Sequence, residues 1–98
     1  MKTYTVVLSK NPQSSWYSVT CPALPGAISQ GRGKPEALRN IQEAMEGWLE
    51  GGEVAPEIET PELIADWIRD ILRDRAEEGW DLVVETARVT PNVAVPAA

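Results

Sequence analysis

Five residues, Pro22-Ala-Leu-Pro-Gly26, limit what can surround them more than any other stretch of the chain. The two prolines hold φ near about −65° and remove two backbone N–H donors, and Gly26 is free to take positive φ. Neither a helix nor a central strand can run through such a segment. Regular structure must therefore stop at Cys21 and restart near Ala27, with a stiff crossover between. Leu24, held between the prolines, is placed to plug the edge of a core.

The flanking segments read as strands. Lys2–Ser9 alternates, with Tyr4, Val6 and Leu8 on one face and Thr3, Thr5, Val7 and Ser9 on the other. Ser15–Cys21 follows after an Asn-Pro turn signal and makes a hairpin with the first strand. Ala27–Gly31 is a short third strand, the meander partner of the second. Lys34–Glu50 then carries Ala37, Leu38, Ile41, Ala44, Met45, Trp48 and Leu49 on one helical stripe. Pro35 sits in the first turn, Gly33 serves as a tolerable N-cap, Glu36 suits the helix dipole, and Gly51-Gly52 ends the helix. Thr60-Pro61 starts a second helix, Pro61–Glu78, with Ile64, Trp67, Ile68, Ile71 and Leu72 along one side. Asp81–Val89 is a fourth strand. The order βββ-α-α-β makes this an α+β chain: a three-stranded antiparallel meander, backed by the first helix, plus a C-terminal strand. The second helix is expected either to join the first helical layer or to project towards a partner. Residues 1–90 read as one domain and 91–98 as a flexible tail.

The net charge of −6 is unevenly spread over the 98 residues. Residues 1–33 hold Lys2, Lys10 and Arg32 and no acid, whereas residues 34–98 hold six basic and all fifteen acidic side chains, a local net charge of −9. Such a half repels a polyanion and attracts a basic protein. The same acidity would also serve simply to keep a small domain in solution.

Catalytic chemistry is hard to place. With no histidine and only Cys21, the chain lacks the commonest general base and any Cys/His metal set or Cys–His nucleophile. Cys21 reads as a small buried hydrophobe. Gly31-Arg-Gly33 lacks the residues that would complete a phosphate loop. Asp66, Asp70, Asp74, Glu77 and Glu78 read as a solvated helix face. No catalytic residue, cofactor or metal is therefore expected. One cysteine, a start that is not a signal peptide in pattern and the absence of a long apolar run point to the cytoplasm. Trp48 and Trp67 are expected in the core. Trp16 and Trp80 read either as interface anchors or as packing for the second helix.

The run Tyr17-Ser-Val-Thr-Cys-Pro22-Ala-Leu-Pro-Gly26, followed by Ser29-Gln-Gly31 and by Glu36-Ala-Leu38 with Ile41 and Ala44, resembles the HicB-like antitoxin family over roughly residues 2–50. That family shows a strand ending in a Pro-Asp-Leu-Pro-Gly turn, a short strand ending near a glycine, and a helix opening with Glu-Ala-Leu. This chain departs from it at Ala23, where the turn has Asp, at Gly33, where Thr usually caps the helix, and at Arg32, where an acid precedes that cap. The resemblance implies a partly RNase-H-like fold and a partner that is a small basic HicA-like toxin cleaving mRNA. The first three strands carry no Asp or Glu, so the nuclease chemistry associated with that fold is not expected. Many members carry a further DNA-binding domain, for which residues 80–98 show no pattern.

Three readings follow. An antitoxin would use its acidic helical surface, with Glu36, Glu43, Glu46 and Trp80 as contact residues. A non-catalytic structural or regulatory domain of the same fold would form a homo-oligomer through a strand edge or the second helix. Direct nucleic-acid binding is disfavoured by the distribution of acids.

Overall fold

The computed structural model describes residues 2–52, 54–77 and 81–93. Its elements are β1 (Tyr4–Lys10), β2 (Trp16–Thr20), β3 (Ile28–Arg32), α1 (Lys34–Gly51), α2 (Pro61–Glu77) and β4 (Val83–Val89). The sheet is antiparallel throughout, in the order β3-β2-β1-β4. The expected α+β architecture is present, with strand limits one or two residues from those read in the sequence.

Period-two alternation sets the two faces of the sheet. Tyr4, Val6 and Leu8 of β1 and Val19 of β2 point to one side and are fully buried. There they meet Ala37, Ile41, Met45 and Leu49, the stripe of α1. Leu24 plugs this core as its position between the prolines suggests, at 0% exposure. The turn around it is closed by the Leu24 N–H to the Cys21 carbonyl at 3.0 Å and the Ala27 N–H to the Leu24 carbonyl at 2.9 Å. Gly26 takes φ +100°. Pro91 is also buried and Val93 packs against the core, so residues 91–93, read in the sequence as the start of a loose tail, are held against the fold.

The second helix takes neither expected position. It lies on the opposite face of the sheet from α1. Trp67 Nε1 donates to Thr20 Oγ1 at 2.9 Å, and Ile64 and Ile68 face Thr5 and Thr86 across a shallow groove. Thr5, Thr20 and Thr86 all alternate with residues of the α1-side core. The physical reason is Val7, which stands among these threonines, opposite Thr20 and Thr86 in the register, and needs a cover. Its exposure is 1% although it takes no part in the α1-side cluster. Coverage is thin: no described residue of α2 is fully buried, and Trp67 is half-exposed rather than in the core. Trp48 is likewise half-buried, its indole N–H bonded to the Pro25 carbonyl at 2.8 Å.

The residues between the helices are fastened to the sheet at Glu59. Its carboxylate accepts from the Thr5 N–H at 2.5 Å, the Thr5 hydroxyl at 3.1 Å and Arg88 Nη1 at 2.8 Å. The next residue, Thr60, caps α2 through its hydroxyl, which accepts from the Leu63 N–H at 3.1 Å. Burial alone would push the Glu59 carboxyl up. The hydrogen bonds from Thr5 and Arg88 outweigh it and hold the group below its ordinary value of 4.5. A depressed folded-state pKa stabilises the fold above the unfolded value, and this contribution disappears as pH falls through the folded value. Glu59→Gln is expected to cost about 1–2 kcal/mol at neutral pH. Its difference from the parent chain should close as urea melts are repeated down to about pH 3. A difference that persists unchanged into acid would show that charge on Glu59 is not what fastens the linker.

Candidate partner-binding face

The start of α1 is built without the usual cap. Gly33 occupies the N-cap position at φ +81°, outside the reach of most L-residues, and supplies no side-chain hydrogen bond. Glu36, three residues on, reaches back instead and accepts a hydrogen bond from the Arg32 N–H. This is the return half of a capping box, shifted by one residue. Asn40 Nδ2 adds a bond to the Gln30 carbonyl at 2.8 Å. Helix and strand lie so close here that a β-carbon built on Gly31 would sit 2.4 Å from the Ala37 nitrogen. A side chain at residue 31 would push the helix away, which gives the glycine of the motif its physical reason.

Helical spacing then places Glu36, Arg39, Glu43, Glu46 and Glu50 on the solvent side of α1. The carboxylates are not equivalent. Glu36 is committed to the helix start. Glu46 accepts from Gln42 Nε2 at 3.2 Å and from the Asn92 N–H at 2.6 Å, tying the chain after β4 onto the helix. Glu43 and Glu50 are exposed and make no hydrogen bond or ion pair among the described residues. Between them lies Gly47, beside whose α-carbon nothing comes within 4 Å of where a β-carbon would stand. Gly47, Trp48, Gly51 and Val54 line a shallow depression of about 350 Å³. The outer surface of α1 therefore combines uncommitted negative charge with a notch in which a partner can approach the helix backbone. The spacing of the acids was readable in the sequence. The notch depends on which side of α1 Gly47 falls, and its only sequence signal is a glycine inside a helical stripe.

Of the residues expected at a contact, Glu36, Glu43 and Glu46 are thus on one helix face, and Trp80 lies outside the described residues. Trp16 is 46% exposed on the α2 side of the sheet, with the Arg32 guanidinium 5.3 Å from its ring centre. Cys21 is buried, and desolvation pushes its thiol up to about 11 despite hydrogen bonds from the Leu24 and Ala23 backbone, so thiolate is scarce at neutral pH. Among the described residues no group of three or more His, Cys, Asp or Glu is arranged to hold a metal ion, and no helix is long and apolar enough to cross a membrane.

Known proteins resemble this chain at three levels. A UPF0150 protein from Thermoplasma acidophilum is 47% identical over 47 residues, which is 48% of this chain and 67% of that protein. The crystal structure of the N-terminal domain of the Burkholderia pseudomallei antitoxin HicB shares the fold, with a TM-score of 0.50 over 86% of this chain and 95% of that one, at 20% identity. The family model for the HicB-like antitoxins of bacterial toxin–antitoxin systems matches residues 4–92, taking in both helices and all four strands. By that match, the chain belongs to the HicB-like antitoxin family.

Proposed function

We propose that this protein neutralises a small basic HicA-like toxin by covering it with the outer face of α1, and that it does so in the cytoplasm without catalysis of its own. The observation that carries this reading is the pair of uncommitted carboxylates, Glu43 and Glu50, flanking the Gly47 notch. A predominantly negative face along a fixed helix steers a basic partner and sets its orientation, and the notch lets apolar contact follow. Glu36 and Glu46 border the contact while keeping their structural bonds. Trp80 is proposed as an aromatic anchor on sequence grounds.

The test uses a purified HicA-like toxin, assayed alone for RNA cleavage. An excess of this chain is expected to stop cleavage. The double substitution Glu43→Lys with Glu50→Lys should weaken binding roughly tenfold or more and flatten its salt dependence, with the far-UV spectrum unchanged. Undiminished cleavage in the presence of excess parent chain would refute the proposal.

The alternative is a homo-oligomeric structural or regulatory domain without a toxin, to which the 43% exposed Leu72 of α2 would contribute apolar contact.

A further inference from the structure

A cavity of about 350 Å³ opens between the β1–β2 turn and the last turn of α2. It lies on the face of the sheet opposite α1. Its Ser9 and Ser18, partners in the register, alternate with the core residues Leu8 and Val19. Trp16 lines it too, with the Arg32 guanidinium beside the ring. Lys10 is held in place by the turn. Its ammonium donates to the Ser14 carbonyl at 3.0 Å and to the Pro12 carbonyl at 3.4 Å, which leaves one of its three N–H donors over. Among the described residues neither Lys10 nor Arg32 has a carboxylate partner, and no carboxylate lines the cavity. The turn supplies amides as well. Asn11 Oδ1 accepts from the Gln13 N–H at 3.0 Å, while the Asn11 amino group and the Gln13 carboxamide make no hydrogen bond among the described residues.

We infer that this cavity binds a mononucleotide, its base stacked on Trp16 and its phosphate on Lys10. Each half of such a ligand answers to a different part of the lining. An indole offers a base a flat apolar face, and stacking there is indifferent to which base it is. The amides of Asn11 and Gln13 present donors and acceptors, the chemistry of a base edge. A pre-positioned ammonium with a spare donor suits a single phosphate. The volume stands at the small end of ligand cavities, enough for one nucleotide. Charge sets the length of the ligand. Asp74 and Asp81, both exposed, adjoin the lining residues Arg75 and Leu82 in the chain. A strand running on from the cavity would carry further phosphates towards these acids and into the field of a chain of net charge −6. One phosphate meets Lys10 and goes no further. The site lies across the sheet from Glu43 and Glu50, so it does not depend on the toxin reading.

Titration of the isotope-labelled full chain with AMP, GMP, CMP and UMP, followed by NMR, tests this. At least one of the four is expected to shift the Trp16 indole and Ser18 amide signals and to saturate with a Kd on the order of 1 mM or tighter. The matching nucleoside and ribose 5-phosphate, each carrying half of the ligand, should bind at least about tenfold more weakly. Trp16→Ala, read at Ser18, should weaken the nucleotide about tenfold or more, and Trp16→Tyr should keep most of the affinity, which guards against a variant that merely misfolds. Lys10→Ala should weaken the nucleotide but not the nucleoside, whereas Lys2→Ala removes the same charge outside the cavity and should change neither. The inference is overturned if none of the four shifts these signals up to about 10 mM, well above the expected Kd. Equal affinity for nucleoside and nucleotide, or equal losses from Lys2→Ala and Lys10→Ala, would overturn it too. So would a short oligonucleotide or a polyglutamate peptide that binds more than about tenfold tighter than the mononucleotide. None of these results depends on RNA cleavage, so failure here and failure of the toxin reading are separable.

Discussion

Gly31→Ala is expected to lower stability by about 3 kcal/mol, an unusually large effect for adding one methyl group. The new β-carbon would lie 2.4 Å from the Ala37 nitrogen, 2.7 Å from the Ala37 α-carbon and 2.8 Å from the Glu36 carbonyl carbon. All three are backbone atoms, so no rotamer change relieves the clash and α1 must lift as a body. Lifting it breaks the bonds from Asn40 to Gln30 and from Arg32 to Glu36 and opens the Ala37 end of the core. Urea melts measure the loss. Gly47→Ala is the matched control. It adds the same atom on the same helix where nothing lies within 4 Å, and it should raise stability by about 0.5–1 kcal/mol through reduced chain entropy. If the two glycines respond alike, the close approach of β3 and α1 is not what Gly31 provides.

Ala23→Asp is expected to cost about 3 kcal/mol at neutral pH, although it restores the residue that the resembling family carries in this turn. Ala23 is 0% exposed, and the linker that follows α1 is fastened over it, the Glu57 N–H bonding the Ala23 carbonyl at 2.8 Å. A carboxylate introduced there loses its water and meets the field of Glu57 and Glu59. Burial raises the folded-state pKa of such a group above its unfolded value, so the penalty grows as pH rises through that unfolded value of about 4 and shrinks below it. A defect due only to bulk would be flat with pH. Comparing the variant with the parent chain across this range therefore separates charge burial from crowding, and a pH-independent defect would rule out charge burial as the cause.

The parts of the fold that could be read from the sequence are those set by local pattern. Alternation through Tyr4, Val6 and Leu8, the stripe from Ala37 to Leu49 and the stiff turn around Leu24 each carry their own signal within a few residues. The position of α2 carries none. Whether an apolar stripe joins one side of a sheet or the other depends on the length and fastening of the preceding linker, and Glu59 makes its bonds to Thr5 and Arg88, far away in sequence. Val7 was the available clue, a lone aliphatic residue on a face otherwise read as polar. The apolar stripes overstate the depth of Trp48 and Trp67 for a related reason. Periodicity says which side of a helix is apolar but not how much of it the neighbouring layer covers. Helical spacing predicts the solvent side for the acids of α1, where they lie, but the commitment of Glu36 and Glu46 to backbone partners follows from contacts across the fold that no local pattern encodes.

The strand order has a kinetic side. β1, the first of the six elements to leave the ribosome, sits in the interior of the sheet, and its longer ladder is with β4, the last of them, with Tyr4 opposite Val89. During synthesis the meander and α1 can assemble, but one side of β1 has no strand to pair with and Val7 has no cover until α2 and β4 emerge. Such late, long-range closure slows folding and leaves the nascent domain open to proteases and to stray strand pairing for most of its translation. Loss of β4 would return the molecule to that half-built state, with one side of β1 unpaired.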